Sequence, residues 1–296
     1  MPIATLIAAD IAESGIISDA RDRLAGAGCI PVDSAWLKKG KALDLFFEGE
    51  LNFARRALAD IEDRYDVVVQ NDAHRRKMIL VSDMDSTMIT VECIDELADF
   101  AGIKPQIAEI TDRAMAGELD FAEALKARVS LLAGLDEALV QQCLEERVRP
   151  MPGAQALVRT MNGWGAHTVL VSGGFTRFTG PVAQMLGFDE VHANVLELKN
   201  GVLTGQLTGG IVDAAIKRSV LESAVARTGH SLCSVLAVGD GANDLPMIAA
   251  AVSGDGLGAA YHPRPMLAKA SNFAIRHNDL TALLFAQGAA EAEWAT

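Results

Sequence analysis

The chain has 296 residues, of which 50% are hydrophobic and 22% are charged, so it can bury a sizeable core in one large domain or two unequal ones. Its formal net charge of −13 argues against a nucleic-acid-binding protein, because that class normally carries a basic excess. No apolar run approaches the ~20 residues that span a bilayer, and the N-terminus lacks the basic segment of a signal peptide, so a cytoplasmic protein without membrane contact is expected.

Residues 1–72 are predicted to form a small α+β unit. Its predicted strands are 4–9, 29–36, 42–47 and 66–70, and its predicted helices are 18–27, capped by Ser18, and 51–65. This βαββαβ order is typical of a ferredoxin-like sandwich. The polar and charged segment 71–77 is then predicted to be a linker to a second unit at 78–288.

In the second unit, buried strands alternate with helices, which predicts a parallel sheet with helices on both faces. The predicted strands are 78–82, 168–171, 234–238, 256–260 and 272–275, with a ribbon at 190–209. The predicted helices are 154–162, 177–186, 214–228, 244–251 and 279–285. Residues 93–150 are helix-forming throughout, with helices expected at 93–102, 106–117, 121–132 and 137–147, so they are interpreted as a helical insertion after the first strand. Residues 289–296 are predicted to be a loose tail.

Two carboxylates, Asp83 and Asp85, follow the first strand of this sheet. Ligands of open parallel sheets bind beyond the carboxyl ends of the strands. Two carboxylates there favour a cation such as Mg²⁺, and one of them could attack phosphorus while the other transfers a proton. The structural alternative is that Asp83 to Thr87 simply caps a helix.

Three further segments lie at strand ends or helix starts. Ser172-Gly173-Gly174 follows a strand and could hold a phosphate through a hydroxyl and backbone N–H groups. Lys217 opens the helix 214–228 and could neutralise a phosphoryl group, although charge alone does not distinguish it from Arg218. The segment Gly239 to Asp244 (GDGAND) brings more carboxylates to another strand end. The four cysteines are far apart in sequence, which predicts reduced thiols and not a zinc site.

These four segments, in this order, resemble the motifs of the haloacid dehalogenase superfamily. The phrases DMDST at 83–87, LKARVSLL at 125–132, VSGGF at 171–175 and VGDGANDLPM at 238–247 are most similar to its phosphoserine phosphatase branch. The resemblance covers residues 78 to about 285. It implies a Rossmann-like parallel sheet with a helical cap, and Mg²⁺ as the cofactor. The N-terminal unit resembles ACT-like modules only by its predicted topology.

The resemblance also implies a role for each matching residue. Asp83 would be the nucleophile and a metal ligand, and Asp85 would be the general acid and base and a metal ligand through its backbone carbonyl. Asp240 would be the third metal ligand, and Asp244 would brace the site. The phosphoryl group would be held by Ser172, Gly173, Lys217 and Asn243. In the cap, Glu92 would face the substrate's ammonium group and Arg128 its carboxylate, and Met115 and Phe121 would close over the substrate. The alternative for Glu92 and Arg128 is that they are solvated helix charges.

The implied activity is hydrolysis of O-phosphoserine to serine and inorganic phosphate through an aspartyl-phosphate, the last step of serine biosynthesis. Two alternatives stay open: a phosphatase for another small phosphorylated amino acid or amine, and an amino-acid sensor that retains an inactive phosphatase fold. The expected partner is the small-molecule substrate, and the sequence leaves a homodimer open. Because the predicted site lies downstream of the first unit, a fragment beginning near Arg75 is expected to fold and stay active.

Overall fold

The computed structural model describes residues 1–115 and 118–295, and the side chain of Met115 lies outside that description. The N-terminal unit is an antiparallel four-stranded sheet in the order β2-β3-β1-β4, with two helices on one face. Its elements are β1 (Pro2–Ala8), α1 (Ile16–Gly26), β2 (Ile30–Lys38), β3 (Ala42–Glu48), α2 (Leu51–Leu58) and β4 (Tyr65–Asn71). The ferredoxin-like arrangement predicted for residues 1–72 is therefore confirmed at the level of topology.

Strand β1 is buried on both faces, and its alternating side chains separate two environments. Ala4, Leu6 and Ala8 belong to the hydrophobic cluster beneath α1 and α2. Ile7 points the other way and joins the core cluster of the larger unit. The small sheet therefore lies between its own helices and the rest of the chain.

The larger unit is built on a seven-stranded sheet in the order β11-β10-β9-β5-β6-β7-β8. Its strands are β5 (Ile79–Ser82), β6 (His167–Phe175), β7 (Glu190–Lys199), β8 (Val202–Thr208), β9 (Val235–Gly239), β10 (Leu257–Tyr261) and β11 (Phe273–Ile275). Strands β11 to β7 are parallel, and β8 returns antiparallel beside β7 as the predicted ribbon. The Rossmann-like fold class with a parallel sheet is therefore confirmed.

Helices cover both faces of this sheet, and another group of helices follows β5. The cap helices are α3 (Cys93–Phe100), α4 (Lys104–Met115), α5 (Phe121–Ser130) and α6 (Glu137–Arg147). The sheet helices are α7 (Ala154–Gly163), α8 (Thr176–Leu186), α9 (Ala214–Thr228), α10 (Leu245–Ser253), α11 (Pro265–Ala270) and α12 (Ala282–Ala286). Leu80 of β5 faces the cluster with α7, α8 and α12, whereas Ile79 and Val81 face α9 and α10. Among the described residues, no helix is long and apolar enough to cross a membrane.

Two helix boundaries of the N-terminal unit were predicted wrongly. Helix α1 begins at Ile16, after Gly15 in a left-handed conformation (φ 95°), so Ser18 lies inside the helix and does not cap it. Helix α2 ends at Leu58 and continues only as a short 3₁₀ turn, Ala59–Ile61, so the helix predicted for 51–65 is too long.

Two residues of the segment predicted as a linker, Arg75 and Lys77, are buried and form a joint between the two units, whereas residues 71–74 and 76 are exposed. Arg75 is 7% exposed, and its guanidinium donates to Asp44 at 2.6 and 2.7 Å and to the carbonyl oxygens of Phe285 and Ala286. Lys77 is 2% exposed and donates to two backbone carbonyl oxygens. The charges of Arg75 and Lys77 therefore serve buried hydrogen bonding, which a polar linker would not require.

The C-terminal residues are not a loose tail, as far as residue 295. Ala289 is fully buried, and the Trp294 ring lies 4.9 Å from the Phe285 ring, centroid to centroid. Glu291 accepts from Lys38 of the N-terminal unit at 2.7 Å. These contacts fasten the end of the chain to both units.

Candidate active site

The carboxyl end of β5 places Asp83 at the centre of the sheet edge. Asp83 is 5% exposed, and its backbone N–H donates to the carbonyl oxygen of Val238 in β9, which fixes it against the neighbouring strand. The side-chain oxygen Oδ1 accepts from the backbone N–H of Met84 at 2.7 Å. The nucleophile predicted from the sequence is thus buried and held in a single orientation.

Helix α9 directs a lysine ammonium at this carboxylate. Asp213 caps the helix by accepting from the N–H of Ile216, and Lys217 then falls on the side that faces the sheet. Lys217 Nζ lies 2.7 Å from Oδ1 of Asp83 and 2.7 Å from Oδ1 of Asp244. Arg218 points outward and pairs with Glu222 at 2.8 Å. Of the two cations, Lys217 is therefore the one that lies beside the carboxylates.

Three carboxylates form a cluster that could hold a metal ion. Asp83, Asp240 and Asp244 each offer an oxygen, and these oxygens lie within 4.8 Å of one another. A Cβ at Gly239 would lie 2.3 Å from the Asp244 carboxyl carbon, so only glycine permits this approach. Thr87 donates to Asp240 at 3.2 Å. Carboxylate oxygens at this spacing fit a hard divalent cation such as Mg²⁺.

The charged groups of the cluster shift one another's proton affinity. Burial, with the Asp244 carboxylate adding to it, raises the pKa of Asp83 well above its usual value, whereas Lys217 opposes that shift. Burial lowers the pKa of Lys217, but the carboxylates of Asp244 and Asp83 outweigh it and the net pKa is raised. Burial and Asp244 also raise the pKa of Asp240, to about 6. Lys217 therefore stays charged, and the carboxylates favour additional positive charge.

Asp85 has a different environment from Asp83. Its Oδ1 accepts from the backbone N–H of Cys93 at 3.2 Å, and a Cβ at Gly174 would lie 2.9 Å from its Oδ2. Burial, followed by the nearby charge of Glu92, raises the pKa of Asp85 to about 7. A carboxyl group with a pKa near neutrality can both donate and accept a proton in one catalytic cycle.

The end of β6, from Ser172 to Phe175, is positioned by a residue that the sequence analysis did not single out. Ser172 Oγ accepts from the N–H of Gly174 at 2.8 Å. Asn194, 1% exposed on β7, donates to the carbonyl oxygen of Gly173 and accepts from the N–H of Val212, both at 2.8 Å. Asn194 thus holds the backbone of Gly173, near the end of β6, beside the carboxylates. The sequence offered no signal for it, because the predicted ribbon also contains other polar residues such as Glu190, His192 and Glu197.

The cap covers these groups and encloses a cavity of about 340 Å³. Glu92 and Arg128 both line it, as do Asn243 and Ser172 from the sheet side. Among the residues that the structure describes, Glu92 accepts from Ser86 Oγ at 2.7 Å, and the Nε of Arg128 makes only a long hydrogen bond of 3.4 Å to a backbone carbonyl. The polar ends of both side chains therefore remain available to a ligand.

Phe121 marks the contact between the cap and the sheet. A Cβ at Gly173 would lie 3.2 Å from its ring, so the ring covers Ser172 and Gly173 near the end of β6. The side chain of Met115, predicted to close over the substrate with Phe121, lies outside the described residues. The remaining predicted site residues border one cavity or, in the case of Lys217 and Asp244, lie directly beneath it.

Comparisons with known proteins agree with this geometry. Residues 80–249 match the haloacid dehalogenase-like hydrolase family. A phosphoserine phosphatase from Albidiferax ferrireducens is 44% identical over 211 residues, which are 70% of this chain and 87% of that relative. The crystal structure of a probable phosphoserine phosphatase from Vibrio cholerae has a TM-score of 0.77 at 32% identity, covering 99% of this chain and 87% of its own. A HAD-family hydrolase from Salmonella enterica serovar Typhi has a TM-score of 0.83 at 27% identity, covering 96% and 98%.

Proposed function

This chain belongs to the haloacid dehalogenase-like hydrolase family and is a phosphatase of that family, and we propose that it hydrolyses O-phosphoserine to serine and inorganic phosphate. The observation that carries the proposal is the composition of the cavity. Its floor presents Asp83 next to Lys217, and its cap side presents Glu92 and Arg128. The floor suits a phosphoryl group, and the cap side suits the ammonium and carboxylate of an amino acid.

In the first proposed step, an oxygen of Asp83 attacks phosphorus and the bond to the serine oxygen breaks. Asp85 donates its proton to that leaving oxygen. The phosphoryl oxygens are held by the Ser172 hydroxyl, the Gly173 N–H, Lys217 and Asn243. Because phosphoryl transfer depends mainly on positioning and on charge neutralisation, the buried ammonium of Lys217 beside the nucleophile would contribute directly to both.

In the second proposed step, water attacks the aspartyl-phosphate at phosphorus. Asp85, now deprotonated, accepts a proton from that water, and the bond between phosphorus and Asp83 breaks. The metal ligands would be Asp83, Asp240 and the backbone carbonyl of Asp85. Asp244 would brace the cluster, because it already accepts from Lys217 and from the N–H of Gly241 at 3.1 Å. When bound, Mg²⁺ would add positive charge at the phosphoryl oxygens.

We propose that substrate selection lies in the cap. Arg128 can form two parallel hydrogen bonds with a carboxylate. Burial lowers the pKa of Arg128, and the charges of Asp95 and Glu92 oppose that shift. Glu92 offers a negative charge to the ammonium group at the same cavity. A phosphorylated amine without a carboxylate would leave Arg128 without its proposed partner.

The proposed two-unit organisation is 1–72 and 78–288, with the cap at about 93–150. It is supported by two separate sheets and by a hydrophobic cluster that is confined to the first unit. The proposed compartment is the cytoplasm, because the four cysteines are free thiols. An ACT-like role for the first unit stays a prediction.

The test is phosphate release from phosphoserine with Mg²⁺, followed by the same assay with a chelator. The wild-type chain should release phosphate only with the metal, and Asp83→Asn should neither turn over nor form a phosphoenzyme. Near wild-type turnover by Asp83→Asn would overturn the mechanism. A panel that includes phosphohomoserine tests the rival substrate class, and a completely inactive wild-type chain would favour the amino-acid sensor.

A further inference from the structure

The active-site cavity is lined by an arginine that the proposed mechanism does not use. Arg264 borders the cavity on the same side as Asp240 and Asn243, and its side chain is exposed. Within residues 1–115 and 118–295, no hydrogen bond or ion pair engages its guanidinium. The positive charge is therefore available to an incoming ligand.

The backbone presents Arg264 on a stiff segment. Pro263 and Pro265 flank it, and a proline fixes its own φ and restricts the residue before it. Arg264 is accordingly extended, with φ −66° and ψ 155°, and α11 starts immediately afterwards. Helix α11 contacts the turn Ala242–Asp244, which carries part of the active site. The guanidinium is therefore attached to a backbone that is fixed relative to the cavity.

Most of the charged residues that line the cavity are acidic, so an unpaired cation there affects whether an anionic substrate is attracted. Four acids line the cavity, namely Asp83, Asp85, Glu92 and Asp240, and the chain as a whole carries a net charge of −13. Lys217 is fully buried beneath the floor, and the carboxylates of Asp83 and Asp244 offset its charge. Arg128 is assigned to the substrate carboxylate. Among the described residues that line the cavity, the arginines are Arg128 and Arg264. Arg264 is therefore the one left to attract a phosphate dianion as it approaches.

We infer that Arg264 is a steering residue, which attracts the phosphoryl dianion of any phosphomonoester into the cavity and contacts it before it reaches Lys217. The inference rests on the proposed phosphatase function, but not on phosphoserine being the substrate. It predicts an effect on capture of the substrate and not on the chemical step, because within the described part of the chain Arg264 makes no hydrogen bond or ion pair with Asp83 or Asp85.

The test compares Arg264→Ala and Arg264→Lys with Lys39→Ala, which removes one exposed charge from the turn between β2 and β3. The substrates are phosphoserine and p-nitrophenyl phosphate at constant Mg²⁺. At about 0.01 M ionic strength, Arg264→Ala should lower kcat/KM about tenfold on both substrates, since charge steering raises capture rates by roughly 10–10³-fold. Its kcat should change less than about twofold, and Arg264→Lys should keep most of the wild-type kcat/KM.

The loss should shrink at about 0.15 M ionic strength, where the screening length falls from about 30 Å to about 8 Å. Equal kcat/KM for Arg264→Ala and Lys39→Ala would overturn the inference, as would a loss that appears mainly in kcat or ignores salt. If the wild-type chain hydrolyses p-nitrophenyl phosphate but not phosphoserine, the proposed substrate fails while the role of Arg264 is still measured on the first compound.

Discussion

Lys217 Nζ lies 2.7 Å from Oδ1 of Asp83, and both side chains are almost fully removed from solvent. The same ammonium also contacts Asp244 at 2.7 Å. A buried charge is tolerated when it is paired, and removal of one partner leaves the others uncompensated. The contact between Lys217 and Asp83 therefore stabilises the folded active site, and it places a positive charge where the phosphoryl group is proposed to bind.

Lys217→Met should lower kcat for phosphate release by about 10²–10³-fold, the range for loss of one preorganised charge-stabilising group. It should also destabilise the chain by about 3–5 kcal/mol without Mg²⁺, because two buried carboxylates lose their cation. Arg218→Ala is the matched control, since Arg218 is exposed and pairs with Glu222 on its own helix. Phosphate release and urea unfolding measure both effects; near wild-type kcat for Lys217→Met would contradict the assignment.

The strand-end residues of this site could be predicted from sequence because local rules fix them. Asp83, Ser172 and Asp240 each follow a buried apolar strand, and the carboxyl ends of parallel strands meet at one edge of a sheet. The choice between Lys217 and Arg218 could not be predicted from charge. It depends on where α9 begins, which sets the face of the helix on which each residue lies.

The joint between the units could not be predicted, because its partners are far apart in sequence. Arg75 donates to the carbonyl oxygen of Ala286, 211 residues away. Trp294 packs on Phe285 although it lies in a segment that looked like a loose tail. Local composition shows only that these segments are polar or short. Burial arises from the tertiary arrangement, to which single-sequence patterns are insensitive.

Asp85→Asn should slow phosphate release by about 10²–10⁴-fold, because it removes the group proposed to protonate the leaving oxygen and to activate water. Both phosphoenzyme formation and its hydrolysis should be slower. Asp112→Asn, an exposed cap residue, is the control. Single-turnover measurements separate the two steps, and a total loss below about threefold would remove Asp85 from proton transfer.

Asp44→Asn should destabilise the chain by about 3 kcal/mol, because it leaves the buried Arg75 guanidinium without its carboxylate. The kcat of the folded protein should be unchanged, since the joint does not touch the cavity. Asp33→Asn, exposed on the edge strand β2, is the control in urea unfolding. If Asp44→Asn unfolds at the wild-type urea concentration, the joint does not couple the two units.

The structure also changes the expectation for a fragment that begins near Arg75. Such a fragment keeps every predicted site residue but loses Asp44, and it exposes core that Ile7 and Val68 cover in the full chain. We therefore expect it to unfold at a lower urea concentration than the full chain while retaining Mg²⁺-dependent activity at low temperature. A fragment as stable as the full chain would show that the first unit adds nothing to the core.

Lys77 should make stability depend on pH in the alkaline range. Burial lowers its pKa from 10.5 to about 8. Between these values the unfolded chain binds the extra proton, so the free energy of unfolding should rise with pH. From pH 7 to 9.5 the contribution of Lys77 is about 2 kcal/mol. Lys77→Met should lose this rise, whereas the exposed control Lys39→Met should keep it; identical pH profiles for wild type and Lys77→Met would contradict the buried, depressed lysine.

Specificity for an amino-acid phosphate must come from residues that do not contact the phosphoryl group, because every phosphomonoester carries that group. Arg128→Lys and Glu92→Gln should each lower kcat/KM for phosphoserine by at least about 10-fold, since hydrogen bonds to charged groups contribute about 1.5–3 kcal/mol and lysine cannot reproduce the bidentate fork. Hydrolysis of p-nitrophenyl phosphate should change far less, because it has neither ammonium nor carboxylate. This pattern differs from that of Arg264→Ala, which should affect both substrates alike. Equal losses on both substrates would mean that Arg128 and Glu92 support the fold or the phosphate site, and no loss on either would withdraw the phosphoserine assignment while leaving the catalytic residues in place.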